Sequence, residues 1–278
     1  NPEAMAFTFS QAPPGLAGIA VSAPLLAAVK TAALVEANSA DYVTYLHKVF
    51  AEDPVFTAAA THWGLEEAQH GAALGRWAET VDPQFDFAAS LKRFRDGYQI
   101  PLDASRSIRG SAAGELLARC VVESGTCSYY SAVRDHTSEP VLKQICHRIA
   151  QDEARHYQLF RTHYQHYAEQ SPMSFWTRLK IALGRVGETG DDELAFAYYS
   201  ANLVTLRDGP AYDRRVCGRA YRRIAASMYE LAHVCTVVHM IANAVGVHPG
   251  RWLIRSGARA GWWWLRGIGI LHLPHSAD

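Results

Sequence analysis

Gln151-Asp152-Glu153-Ala154-Arg155-His156 sets a carboxylate and an imidazole three residues apart, inside a helix expected to start at Ser138-Glu139-Pro140 and to end near Gln170. Residues at that spacing lie on one helix face, one turn above the other, so Glu153 and His156 can reach one metal ion from the same side. The spacing returns in Glu67-Ala68-Gln69-His70, on a helix that the cap-plus-proline pair Asp53-Pro54 opens and that runs to about Glu79. Each of these helices follows another that offers a glutamate. Glu36 lies on a helix from Pro24 to about Phe50, and Glu123 on one from about Ser111 to His136. The order is Glu, Glu-x-x-His, Glu, Glu-x-x-His, with steps of 31 (36 to 67), 53 (70 to 123) and 30 (123 to 153) residues. Steps near 30 suit long antiparallel helices that meet at mid-height. The longer step suits a crossover, supplied by residues 81–110 with Asp82-Pro83, Gly97 and Pro101.

With 13 histidines in 278 residues, chance alone predicts fewer than one Glu-x-x-His, and three occur. The third, Glu230-Leu231-Ala232-His233, has no matched partner helix and reads as a structural or surface pair. Glu66 competes with Glu67, but the spacing repeated at Glu153 favours Glu67. Glu36 is the one acid in the middle of its apolar stretch, and Asp41 points elsewhere. Glu115 would move the site two turns along its helix, away from Glu153. His47, His62, His136, His147, His163 and His166 read as surface or supporting groups. Four carboxylates cancel the charge of two divalent ions, imidazoles suit iron, and a set without thiolates disfavours an iron–sulfur cluster. Two metals about 3.5–4 Å apart can clamp both atoms of dioxygen. This is the ligand plan of the ferritin-like di-iron or di-manganese carboxylate bundles. The expected fold is therefore all-α, a ferritin-like four-helix bundle with additional C-terminal helices, and two iron ions with O2 as co-substrate are the expected cofactors. Manganese is admissible at either position.

The rest of the chain fits one helical domain. It is 49% hydrophobic, enough for one sizeable core, and its formal net charge of zero points to no nucleic-acid partner. An N-terminal extension covers 1–23, the helical domain 24–246 (core bundle 24–170, accessory helices 171–246), and a Trp/Arg-rich tail 247–278. Asn1 to Ala4 precede Met5, the expected natural start. Accessory helices open at Ser171-Pro172, at Asp191-Asp192 and, for a long seventh helix to Gly246, at Asp208 with Pro210. The five cysteines form no Cys-x-x-Cys and read as buried thiols of a reducing cytoplasm. The apolar stretch Gly15 to Val29 lacks a preceding basic residue and contains Pro24, which disfavours a secretion signal. No run of about 18 uninterrupted apolar residues predicts a spanning helix.

The motifs resemble those of the soluble acyl-acyl-carrier-protein desaturases. Leu142-Lys143-Gln144-Ile145-Cys146 through Ile149-Ala150-Gln151-Asp152-Glu153-Ala154-Arg155-His156 is similar to that family's fourth-helix signature. Trp63-Gly64-Leu65-Glu66-Glu67-Ala68-Gln69-His70-Gly71 resembles its W-x-x-E-E-x-x-H-G segment, and Glu123-Ser124-Gly125-Thr126 its E-x-x-T. The likeness covers roughly residues 30–170. It departs at Gln69, where the family has arginine. It implies a di-iron enzyme that takes electrons from an external ferredoxin and desaturates an aliphatic chain held as an acyl-carrier-protein thioester. Thr126 would assist proton delivery, Trp63 would lie on the electron route, and Asp152 would orient a ligand histidine. From the residues alone, Thr126 either reaches the site or bonds back to a carbonyl one turn earlier. Trp63 is equally well a core residue.

Related bundles hydroxylate, N-oxygenate or cleave their substrates, so an oxygenase on another substrate is an alternative expectation, as is a ferroxidase or iron-storage protein. The hundred residues beyond the bundle argue against a storage cage. A homodimer is expected. Residues 172–278 hold 13 Lys/Arg against 8 Asp/Glu and residues 1–171 hold 14 against 19, net +5 and −5. Arg215, Arg219, Arg222 and Arg223 fall on one side of the seventh helix, either as a docking face for an acidic carrier or as a solvated face. The tail mixes Arg251, Arg255, Arg259 and Arg266 with Trp252, Trp262, Trp263 and Trp264. Packing is expected there over an interfacial membrane anchor, and the four glycines from 257 to 269 argue against a regular amphipathic helix.

Overall fold

Ser22, Asp53, Ser111 and Glu139 each turn a side-chain oxygen onto the backbone amides of the helix that follows. Those four caps start the four helices that carry the candidate ligands. The computed structural model describes residues 21–100, 106–188, 192–204, 210–248 and 250–270. Among them it has eleven α-helices and no strand. They are α1 (Ala23–Ala37), α2 (Ser39–Val49), α3 (Pro54–Val81), α4 (Phe87–Gly97), α5 (Ala112–His136) and α6 (Pro140–Gln170). The others are α7 (Phe175–Gly187), α8 (Asp192–Asn202), α9 (Arg214–Met228), α10 (Leu231–Val245) and α11 (Arg251–Ile270). Asn1–Met5, residues 15–20 of the Gly15–Val29 stretch, Pro101, Asp191, Asp208 and the last eight residues of the tail lie outside the described residues.

α1 packs on α3, α5 on α6, and α3 on α6. The buried Glu139 carboxylate ties the last pair together, because it caps α6 and also accepts the Trp77 indole N–H of α3 at 2.7 Å. One close approach sets the height at which α1 meets α3. A Cβ on Gly71 would stand 2.5 Å from the Ala37 backbone nitrogen and 2.8 Å from the Ala33 carbonyl oxygen. Only glycine fits there, and the contact draws Glu36 level with His70.

Three helices differ from the expectation. The helix foreseen from Pro24 to Phe50 breaks at Asn38, where Arg95 of α4 takes the Ala37 carbonyl at 2.6 Å and the Ser39 hydroxyl reaches across to Gly64 O at 2.8 Å. The 81–110 crossover contains a helix of its own, α4, capped by Asp86 and seated on α8 and α1. The seventh helix is two, α9 and α10, bent by 106°. At the bend the His233 Nδ1 accepts the Glu230 backbone N–H at 2.9 Å, half of a capping box, so the unpartnered Glu-x-x-His is a helix start.

The tail is helical in spite of its glycines. Gly257 and Gly261 face Val238 and Val234 of α10, at 3.9 and 3.4 Å from a would-be Cβ, and the small residues let α11 lie close on its neighbour. No single helix among the described residues is long and apolar enough to cross a membrane. All five cysteines are free, four of them buried.

Candidate metal centre

The six residues singled out by spacing converge. Glu36, Glu67, His70 and Glu153 bring one ligand atom each to within 4.8 Å of one another, and so do Glu67, Glu123, Glu153 and His156. Glu67 and Glu153 belong to both groups. All six are buried, Glu153 completely. Both imidazoles turn Nδ1 inward: His70 Nδ1 lies 3.4 Å from Glu153 and 3.6 Å from Glu36, and His156 Nδ1 lies 3.0 Å from Glu67 and 3.8 Å from Glu123.

Both imidazoles turn Nε2 outward to an acid on the opposite helix. His70 of α3 meets Asp152 of α6 at 3.0 Å, and His156 of α6 meets Glu66 of α3 at 2.8 Å. Each acid directly precedes one of the shared glutamates, so the arrangement is crossed and nearly symmetric. A carboxylate that accepts the outer N–H fixes the tautomer and leaves the inner lone pair for a metal. Arg155 joins the two acids, at 2.7 Å from Asp152 and 3.4 Å from Glu66.

Charge makes the cluster costly without a cation. Burial and repulsion from Glu153 and Glu36 push Glu67 up to about 8. Burial, Glu153 and Glu67 likewise raise Glu123. Burial opposes a charged His156, but hydrogen bonds to Glu66 and Glu67 outweigh it and lift the ring to about 10; His70 rises for the same kind of reason, led by Asp152. Glu36 goes the other way. Against burial, hydrogen bonds with Glu67, His70 and Tyr130 hold it at about 2. Five buried atoms of the cluster have charged neighbours but no hydrogen bond of good geometry: Glu36 Oε2, His70 Nδ1, Glu123 Oε1, Glu153 Oε1 and His156 Nδ1. Leaving one such atom unpaired costs about 1–3 kcal/mol. Five ligand-type atoms in one place, all carboxylate oxygens or imidazole nitrogens, fit a bound metal that displaces the cluster's protons.

Thr126 realises both of its readings. Its hydroxyl donates to Glu153 Oε2 through a very short contact and also lies 3.3 Å from the Val122 and Glu123 carbonyls. Asp152 is on His70. Trp63 is buried beside Phe160, ring centroids 5.5 Å apart, under the Arg119 guanidinium, and its indole N–H is unpaired. That is a core position. Glu115 stays out of the cluster, bound to Tyr45 and Ser107 at 2.8 Å each. His47 bonds Thr57 and Thr61, and His166 bonds Gln170.

Three supporting residues escape the spacing argument. Glu66 reads as a rival ligand by spacing, although it shares the acid-Glu-x-x-His pattern of Asp152-Glu153-Ala154-Arg155-His156. Arg155 had a signal only once both acids were known. Tyr130, whose hydroxyl donates to Glu36 Oε1 at 2.6 Å, sits two turns past Glu123 on the same face of α5. A scan against protein-family models gives no match, and a search of curated proteins finds no similar protein.

Proposed function

We propose that this chain is a ferritin-like, non-haem di-iron oxidase that uses O2 to desaturate an aliphatic acyl chain held as a carrier-protein thioester, with electrons from an external donor such as ferredoxin. The observation that carries the metal reading is the pair of overlapping four-residue groups sharing Glu67 and Glu153. In this reading Glu36 and His70 would help hold one ion and Glu123 and His156 the other, with Glu67 and Glu153 available to both. The bound irons supply one-electron redox chemistry and activation of dioxygen. Asp152 and Glu66 keep the outer imidazole nitrogens protonated, so both inner lone pairs are available. Thr126 holds a proton on Glu153 Oε2, where its half-exposed hydroxyl touches a shared carboxylate. Tyr130 holds another on Glu36 Oε1 and leaves Oε2 for the metal. The acyl substrate rests on the likeness of the Trp63–Gly71 and Leu142–His156 motifs to the desaturases.

The test is anaerobic loading with ferrous iron, then O2 with a panel of acyl-carrier thioesters and free aliphatic substrates. Two irons per chain and a product lacking two hydrogens are expected. A product that gains one oxygen would replace desaturation by hydroxylation. Less than one equivalent of iron, unchanged on Glu67→Ala and Glu153→Ala, would overturn the metal reading itself.

A further inference from the structure

The C-terminal helices carry a surface that the metal centre does not use. On α11, Ile254 and Ala258 are buried, while the opposite side exposes Trp252 (75%) and Trp263 (65%). Arg255 and Arg259 are exposed between them. Positions 252, 255, 259 and 263 follow helical steps of three, four and four, so the order along one outer stripe is Trp, Arg, Arg, Trp. Leu253 stands beside the stripe, 55% exposed.

No acidic residue occurs in α11, and α10, on which it packs, contains no Asp, Glu, Lys or Arg. α9 and α10 together are long and apolar enough to span a membrane, but their 106° bend rules out one straight rod. α9 also packs on α11, and its Arg214, Arg215, Arg219 and Arg222 line an open cleft of about 290 Å³. α7, packed on α10 as well, exposes Trp176 and Leu183.

Large exposed apolar side chains interleaved with arginine, on an acid-free helix, need a partner that is negative at its surface and apolar just beneath. We propose that the outer stripe of α11 docks on an anionic lipid surface, with Trp252 and Trp263 at headgroup depth and Arg255 and Arg259 paired with lipid phosphates. Tryptophan belongs at that depth because its ring is apolar and its N–H polar. Arginine gains there from the negative surface potential. A second copy of the chain is the weaker occupant. A two-fold contact through this stripe brings the same patch against itself, arginine against arginine with no acid on the helix to answer it. The helix lies in the surface plane and does not cross it. This docking is independent of the metal reading.

The full chain is mixed with vesicles of phosphatidylcholine alone and of phosphatidylcholine with phosphatidylglycerol, and the bound fraction is read by cosedimentation. Binding is expected only to the vesicles with phosphatidylglycerol, and it should weaken as salt rises, which tests the charge term without any substitution. Arg255→Glu with Arg259→Glu should weaken it by about tenfold or more. Trp252→Ser with Trp263→Ser should also release the chain, with the helical circular-dichroism spectrum unchanged. No binding to anionic vesicles overturns the proposal, and so does equal binding to both kinds. A lipid-free dimer that the tryptophan pair abolishes would overturn it too, assigning the stripe to a second copy.

Discussion

The Glu36–His70 half of the candidate centre and the Glu123–His156 half have the same ligand types but different support. Each has its own glutamate and its own histidine, and each histidine is held from behind by an acid on the opposite helix. The terminal glutamates differ. Glu36 has one oxygen occupied by the Tyr130 hydroxyl and one unpaired. Among the described residues no hydroxyl donates to Glu123, and its Oε1 is unpaired. Residue three of each Glu-x-x-His differs as well: Arg155 reaches both outer acids, whereas Gln69, its counterpart on α3, is exposed. A repeated ligand pattern therefore does not imply repeated preorganisation. The Glu36 half is held ready, and the Glu123 half would depend on a bound ion to fix its carboxylate.

Breaking what the halves share should have the largest effect. Glu153→Ala removes an oxygen donor from both groups and should abolish binding of both ions, whereas Glu123→Ala should leave about one per chain. Anaerobic equilibrium dialysis with ferrous iron distinguishes the two. The metal-free chain offers a second measure. Glu67, His70 and His156 bind protons more tightly when folded than unfolded, so their contribution to stability is full below the ordinary carboxylate range and is lost as pH rises through about 8 for Glu67 and about 10 for His156. Glu36 has the opposite sign but titrates near 2, below that window. The melting temperature without metal should therefore fall between about pH 5 and pH 9. Bound ions replace those protons, so the loaded protein should show a flatter profile by calorimetry.

Gly71→Ala tests one half alone. The added carbon meets backbone on α1, which cannot rotate away, so the helices must part. A loss of about 1–3 kcal/mol in urea unfolding is expected. Glu36 should be displaced with α1, so iron binding falls from two to about one per chain. A variant that keeps both ions would show that the α1–α3 approach does not set the position of Glu36.

The ligands could be read from the sequence because helical periodicity is local: three residues apart means one face, whatever the rest of the chain does. Helix starts were legible for the same reason at Asp53-Pro54 and Glu139-Pro140. The break at Asn38 was not, because Arg95, far along the chain, takes the carbonyl that would have continued α1. Glu66 and Tyr130 were hidden likewise, since each acts on a partner about 90 residues away. The helical tail went the other way. Its glycines weaken an isolated helix, and they are tolerated because α10 offers Val234 and Val238 at close range. Local rules found the atoms that hold charge, and long-range contacts chose which of them are supported.

The crossed acids separate the halves more finely. Asp152→Asn removes the negative charge behind His70 and leaves only a neutral amide acceptor, and Glu66→Gln does the same behind His156. Loss of such a partner costs typically about 10–100-fold in metal affinity. Each variant should weaken one ion and spare the other, seen as a biphasic titration in place of a single step. Arg155→Gln should act on both with a smaller effect, because the acids stay and lose only their link. Equal weakening of both ions by Asp152→Asn would mean that the two histidines are not independently held.

Tyr130→Phe is the mildest change and the one aimed most directly at the difference in support. It removes one buried hydrogen bond to a carboxylate and keeps the ring that packs against Tyr129 at 5.2 Å. The Glu36 oxygen that it frees becomes a second unpaired acceptor, which a metal ion can use. Two effects then oppose each other. The metal-free fold loses about 1–3 kcal/mol for the broken bond to a charged group, while the bound state recovers part of that through the extra oxygen. Metal affinity of the Glu36 half should thus change by less than about tenfold, even though the metal-free melting temperature drops clearly. Comparing the two numbers in one variant separates preorganisation from ligand count. A large loss of affinity with an unchanged metal-free melting temperature would show instead that the Tyr130 proton acts only once the ion is bound.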